Sequence, residues 1–351
     1  MTLHLVWRAL EAGRIHPQDL VPVTDETTGR AVPPGSSLMF LAPGQRVTVK
    51  ELMLGLAVDS GNDAGMTLAR FLAGDERAFV ASMNTETQAL GMGQTVFVDS
   101  FGYDSRSTTT AWDFAQFSRR YLSAHPQAVS LIHSVRKFAF PLDANRAPGD
   151  RRKAQTIVQA NRNTLLDSYP GADGLKTGFI EESGYNLAAT AVRGDQRLVA
   201  VILGVQAKDE PTGSRRRAVA GGRLLDYGFA TFPLRPLPLP VLKPVRVWFS
   251  APGSVIPAPS GPTVYPLAQG ELGGIDVRID GPLEVEGPIA PGTIVGRIVW
   301  SKAGQDFYGI DLKSVTNTED APWWVTLWDH VVLFFRGLMG VAPPRTASPH
   351  T

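Results

Sequence analysis

A chain of 351 residues has room for about two domains, and 43% hydrophobic with 19% charged residues is the composition of an ordinary globular protein, not a disordered one. With 34 basic and 33 acidic residues the formal net charge is +1, which excludes the one-signed field of a nucleic-acid binder. No cysteine is present, which excludes disulfides, thiolate catalysis and Cys-ligated metals; His4, His16, His125, His133, His330 and His350 are scattered with no pair at ligand spacing, so neither a metal nor any other cofactor is expected.

In chain order, Leu3, Trp7 and Leu10 share one helical face, closed by Gly13. That helix starts at residue 1 without a cap or a preceding signal peptide, so the expectation is a chain that begins inside a domain. Thr48 is the N-cap expected for a helix to Val58, with Val49, Leu52, Met53 and Leu56 inward. The turn Asp59-Ser-Gly-Asn-Asp63 follows, then helices from Ala64 to Phe71, from Glu76 to Leu90 (Phe79, Met83, Thr87 and Leu90 inward) and from Thr109 to Leu122 (Trp112, Ala115 and Phe117 inward). Val135–Phe140 and Thr156–Gln159 read as short strands on either side of the polar loop Asp143–Lys153. The segment 185–205 reads as a hairpin turning at Arg193-Gly-Asp195, followed by a helix from Ser214 to Tyr227 with Arg215, Arg216 and Arg217 in its first turn. Strands bracketing a helical insert, with a final helix returning onto the sheet, imply an α+β or α/β sandwich of helices over a sheet for residues 1–232.

Pro233, Pro236, Pro238, Pro240 and Pro244 predict a semi-rigid linker over 233–244. The segment 245–318 alternates in strand fashion through Val245–Phe249, Ile275–Ile279, Leu283–Glu286 and Thr293–Trp300, which predicts a small all-β sandwich without a catalytic constellation. Over 319–340 a Pro322-led helix carries the polar stripe Thr326, Asp329/His330 and Arg336, and Trp323, Trp324, Trp328, Phe334 and Phe335 lie on its apolar arc. A central Asp argues against spanning a bilayer, so the helix is expected to lie in the membrane interface; packing on the β domain or on a dimer partner is the alternative. Residues 341–351 read as a disordered tail.

The chemistry gathers in two places. Ser60-Gly61-Asn62 sits between two helices, where the glycine lets a serine and an amide face one cavity. More than a hundred residues later, Lys176-Thr177-Gly178 brings an ammonium, a hydroxyl and a backbone edge without a Cβ to the head of an edge strand. S-x-N and K-T-G are the second and third elements of the penicillin-recognising serine enzymes, where S-x-x-K is the first. Around them, Leu52–Asp63, Gly35–Phe40, Asn161-Arg-Asn163 with Leu165-Leu166, and Gly174–Gly178 with Gly184–Leu187 strongly resemble the serine-type D-alanyl-D-alanine carboxypeptidases, the low-molecular-mass penicillin-binding proteins. The resemblance runs from residue 1 to about Met339.

It implies a transpeptidase-like domain of helical subdomain plus antiparallel sheet. It also implies removal of the terminal D-alanine from peptidoglycan stem pentapeptides through an acyl-enzyme, and acylation by β-lactams. Ser60 and Lys176 would serve the proton relay, and Asn62 would hold a substrate carbonyl. Thr177 and Gly178, with Arg162 and Arg217, would receive the terminal carboxylate. A periplasmic location on the outer face of the cytoplasmic membrane, with a signal peptide upstream, and a homodimer are further expectations of this reading. Glu181 and Glu182 read as solvated loop charges. The family's S-x-x-K lies just before an M-T pair, and here Met1-Thr2 opens the chain. The nucleophile and its lysine base are therefore expected outside these residues, and the chain as written is expected to be inactive. Ser134-Val-Arg-Lys137 has the spacing but reads as strand, where i and i+3 face opposite sides. A class A β-lactamase and a non-catalytic, membrane-anchored cell-wall scaffold are the rival readings; the linker, β domain and apolar tail argue against the first.

Overall fold

The computed structural model describes residues 1–149, 153–281 and 284–346. Two compact units divide the chain between Phe229 and Ala230, three residues before the boundary expected from the prolines.

In the first unit, helix α1 (Thr2–Glu11) buries Leu3, Val6, Trp7 and Ala9, and Gly13 turns the chain out at φ 66°. A two-stranded ribbon, β1 (Leu20–Pro22) with β2 (Arg46–Thr48), leads into α2 (Val49–Leu54). Thr48 caps α2 as expected, in a reciprocal box: its Oγ1 accepts from the Glu51 N–H at 3.2 Å, and its own N–H donates to Glu51 Oε2 at 2.8 Å. The helix expected to reach Val58 is α-helical only to Leu54; Gly55–Asp59 widens into a π-turn, a feature common at functional sites. Helix α3 (Asn62–Ala73), α4 (Glu76–Ala89) and α5 (Ala111–Ala124) complete the helical layer. Phe79, Met83 and Phe117 are buried as expected, but Trp112 is 72% exposed. Five positions separate it from Phe117, about 140° around the helix, so the two cannot share an inward face.

Strands β3 (Lys137–Phe140) and β4 (Ile157–Ala160) pair only with each other, and the short helix α6 (Leu165–Ser168) follows. The expected hairpin is β6 (Gly184–Arg193) with β7 (Gln196–Val205), and β5 (Ala172–Ile180) adds the third, edge strand of an antiparallel sheet. Side-chain alternation splits β6 between two cores. Ala188 packs toward the helical layer with Leu175 and Val201. Leu187, Ala189 and Ala191 pack against Ala218 and Leu225 of the long helix α7 (Glu210–Thr231). Because α7 begins at Glu210, the three arginines fall in its second turn rather than its first.

The second unit is the expected sandwich. One sheet runs Ser254–Val255, Val245–Trp248, Glu284–Glu286, Arg345–Thr346; the other runs Pro257–Pro259, Gln305–Ser314, Ile294–Lys302, Ile275–Asp280. The proline-rich segment is not a free spacer. Leu234–Pro236 pairs with Val264–Pro266, Leu237 enters the sandwich core, and the Pro238 carbonyl accepts from the fully buried Trp300 indole at 2.7 Å. The tail expected to be disordered contributes Arg345–Thr346 to a sheet edge, and its residues 347–351, like Leu283 and residues 150–152 of the polar loop, lie outside the described ones.

Helix α8 (Trp323–Leu338) docks on the sandwich through its polar stripe. Asp329, 2% exposed, accepts from Arg246 at 2.8 Å and from the Phe249 N–H at 2.9 Å. Arg336 forks onto both oxygens of Glu284 at 2.7 and 3.0 Å, and the His330 ring packs tilted against Phe249. Trp323, Trp324, Trp328, Phe334 and Phe335 consequently face away from the sandwich, all exposed. Among the described residues no helix is long and apolar enough to cross a membrane.

Candidate active site

A cavity of about 530 Å³ opens where the start of α1, the end of the π-turn, the 97–103 loop and β5 converge. Its volume suits a small peptide end. Ser60 closes the π-turn in the left-handed region at φ 57°, which points the chain back before α3 begins at Asn62. Gly61 is needed for clearance rather than for its torsion angles: a Cβ there would lie 2.8 Å from the Met39 backbone nitrogen. Asn62 donates from its side chain to Ser36 Oγ at 3.0 Å.

Lys176, the only lysine lining the cavity among the described residues, comes from β5. Its Nζ donates to Ser60 Oγ at 2.8 Å and to the Thr177 carbonyl at 2.7 Å. K-T-G occupies the middle of the edge strand, not its head as expected, because the strand extends back to Ala172. Burial, then the charges of Arg162 and Arg217, lower the Lys176 ammonium to about 7. An amine so placed exchanges a proton with the serine near neutral pH.

The two candidate arginines differ. Arg217 is buried and binds backbone: NH1 to the Gly178 carbonyl at 3.3 Å, NH2 to the Arg162 carbonyl at 3.2 Å, with Ser214 Oγ at 3.3 Å. It ties β5 to the 161–163 turn, so its part at the cavity is largely positioning. Arg162 lies exposed on the cavity wall, and its guanidinium meets no hydrogen-bond acceptor among the described residues. Thr177 is buried in the lining and Gly178 exposed beside it. Glu181 and Glu182 are exposed at the rim of a neighbouring groove. Ser134 and Lys137 line neither.

Sequence reasoning missed two carboxyls behind the relay. Asp63 accepts from the backbone N–H groups of Met39 (2.8 Å), Leu41 (3.0 Å) and Ala64 (2.9 Å), fixing the 39–41 segment beside Gly61. Asp59, 1% exposed, has a buried Oδ1 with no partner. Burial, then the charge of Asp63, pushes the Asp59 carboxyl up to about 7, against the pull of Arg162. The fold also gathers histidines that lie far apart in the sequence. The fold joins His4 Nδ1 to His125 Nε2 at 2.8 Å and seats His133 between the Tyr121 hydroxyl (2.8 Å) and the Leu175 carbonyl (3.1 Å). No local signal marks such pairs, since they join residues as much as 121 positions apart.

Residues 1–207 match the family described as D-alanyl-D-alanine carboxypeptidase, Peptidase S11. The D-alanyl-D-alanine carboxypeptidase DacC of Escherichia coli K12 is 31% identical over 350 residues, covering 97% of this chain and 82% of that protein. Among solved structures, penicillin binding protein 5 from Haemophilus influenzae is similar with a TM-score of 0.66 and 29% identity over 91% of this chain and 88% of the other. Penicillin binding protein 6B from Escherichia coli is similar with a TM-score of 0.62 and 30% identity, covering 89% and 85%.

Proposed function

This chain belongs to the D-alanyl-D-alanine carboxypeptidase family of serine hydrolases, and from that premise we propose how its own residues divide the work on a peptidoglycan stem peptide ending in D-Ala–D-Ala. In the reaction a serine attacks the carbonyl between the two D-alanines, D-Ala leaves, and water hydrolyses the acyl-enzyme. Ser60 passes a proton to the departing nitrogen, with Lys176 as its exchange partner; the 2.8 Å bond between them is the observation that carries this reading. Thr177 and Arg162 hold the terminal carboxylate. The support for Arg162 is its exposed guanidinium on the cavity wall without an acceptor, a fork suited to a carboxylate. Arg217 holds the strand that presents Thr177, and Asn62 takes the substrate's peptide carbonyl. β-Lactams occupy the same cavity.

The acylated serine and its lysine base come from sequence outside these 351 residues. In support, Lys176 is the only lysine lining the cavity among the described residues and is already paired with Ser60, and neither Ser134 nor Lys137 of the one S-x-x-K string lines it. Labelling with a fluorescent penicillin tests this, comparing the 351-residue chain with a version extended upstream to include S-x-x-K. Covalent labelling of the extended protein alone is expected. Labelling of the 351-residue chain would place the nucleophile among its own serines, and labelling of neither would overturn the penicillin-binding reading.

The protein works in the bacterial periplasm, held at the outer face of the cytoplasmic membrane by α8. The support is the direction of docking: the helix spends its polar residues on the sandwich and leaves an aromatic arc in water, the side suited to a headgroup layer.

A further inference from the structure

Outside the catalytic machinery, one chain of titratable groups, buried at its two histidines and exposed at Glu11, has no part in the chemistry above. Glu86 Oε1 meets His4 Nε2 at 3.1 Å, His4 Nδ1 meets His125 Nε2 at 2.8 Å, and His125 Nδ1 meets Glu11 Oε1 at 2.6 Å. Each of the three gaps holds one proton when it is a hydrogen bond. Two neutral imidazoles bring only two, so the line is complete with one more. A further proton would set two N–H groups head to head across 2.8 Å; one fewer would leave two lone pairs facing. Both rings are under 10% exposed, so water cannot replace the broken contact.

The surroundings are equally defined. From α1 come the Met1 amine, Arg8 (paired with Glu86) and Glu11; from α4, Glu86; from α5, Tyr121, whose ring packs on both histidines and whose hydroxyl bonds His133. Trp7 of α1 stacks on His125. The line thus joins α1 to α4 and to the end of α5, and Met1–His4 of α1 line the cavity together with Tyr121 and His133.

We propose that His4 and His125 form a one-proton latch: three protons across the four groups hold α1 against α4 and α5, and a fourth releases it. The direction of the His4 shift agrees. Burial holds its imidazole below the usual range, with the charges of the N-terminus and His125 acting the same way and Glu86 opposing. A histidine depressed in the fold contributes stability above its unfolded pKa and loses it as the pH falls. The window therefore opens downward from about pH 6.5. Acidification loosens one wall of the cavity while leaving β5 and α7 in place.

Hydrogen exchange of α1 amides, corrected for intrinsic rates and referenced to α7, tests this without relying on enzymatic activity. Opening of α1 is expected to rise by up to about tenfold per pH unit between about pH 6.5 and 5, one proton being taken up on opening. The slope is expected to vanish in His4→Gln/His125→Gln. Opening of α1 that follows α7 at every pH, or a slope that survives in the double variant, would overturn the latch. If the double variant does not fold, ¹⁵N NMR of the wild-type imidazoles decides. Three protonated ring nitrogens on this pair at neutral pH support the latch, and two sink it.

Discussion

Lys176 Nζ donates to Ser60 Oγ over 2.8 Å, joining a strand to a helix junction 116 residues earlier. The amine sits near two arginines and among the described residues no carboxylate pairs with it, so burial and like charge act together to favour its neutral form. A carboxylate anion entering the cavity would offset this crowding of positive charge.

Lys176 is accordingly a residue whose removal separates function from stability. Its pKa is about 7 in the fold against 10.5 unperturbed, so the unfolded chain binds more protons between those values and stability falls as the pH drops from 10.5 toward 7. Lys176→Met is expected to flatten that slope and to raise stability at pH 7 by on the order of 1 kcal/mol, read from urea unfolding. In the upstream-extended protein the same change is expected to slow fluorescent-penicillin acylation by about 10²–10⁴-fold.

Asp59 gives an opposite pH signature. Its carboxyl rises from 3.8 to about 7 in the fold, so the stability tied to its proton is present below about pH 4 and is lost as the pH rises through 7. Asp59→Asn keeps the shape without the charge. Denaturation midpoints of variant and wild type are expected to coincide near pH 4 and to separate by a few kcal/mol in favour of the variant by about pH 8. Equal pH profiles would show that the buried carboxyl is solvated in solution.

Gly61 separates the two motif residues, and a Cβ there meets the backbone nitrogen of Met39 at 2.8 Å, with Asp63 Oδ1 at 2.9 Å behind it. Because backbone cannot turn aside as a side chain does, Gly61→Ala is expected to cost about 1–3 kcal/mol. It is also expected to displace Ser60 and Asn62, so acylation should fall further than global unfolding accounts for. Unfolding and labelling measured on one preparation separate the two losses.

The aromatic arc of α8 predicts binding to anionic vesicles by the full chain. Trp323→Ala/Trp328→Ala removes two exposed indoles without touching the Asp329 and Arg336 contacts that dock the helix. Loss of partitioning by tenfold or more is expected in a co-sedimentation assay, with the melting temperature unchanged. Unaltered partitioning would remove α8 from the membrane, and a shift from dimer to monomer on sizing would assign the arc to a second copy.

Helix α4, the Thr48 capping box, the β6–β7 hairpin, the strand texture beyond residue 245 and the apolar arc of α8 were all legible in the residues themselves. So were the Ser60-Gly61-Asn62 and Lys176-Thr177-Gly178 triplets, which the fold brings to one cavity. Each rests on interactions within about four positions or on a short periodic pattern, which a sequence displays directly. Where a reading of that kind failed, either a distant contact overrode it or a residue was assigned to the wrong face of its helix. The proline-rich segment is extended, as its composition requires, yet it lies against Trp300 instead of spanning free water. Trp112 fits a helix but not the face assigned to it.

What the tertiary structure decided is which groups meet and how dry they are. Ser60 reaching Lys176, Asp59 left without a donor while Asp63 collects three, His4 sharing a proton with His125, and α8 docking by its polar side all depend on distances set by packing elsewhere. Desolvation and charge pairing act through space and grow as water is excluded, so no local pattern along the chain encodes them. Two of the three motifs of a penicillin-recognising serine enzyme are written in the sequence; their protonation and alignment belong to the fold.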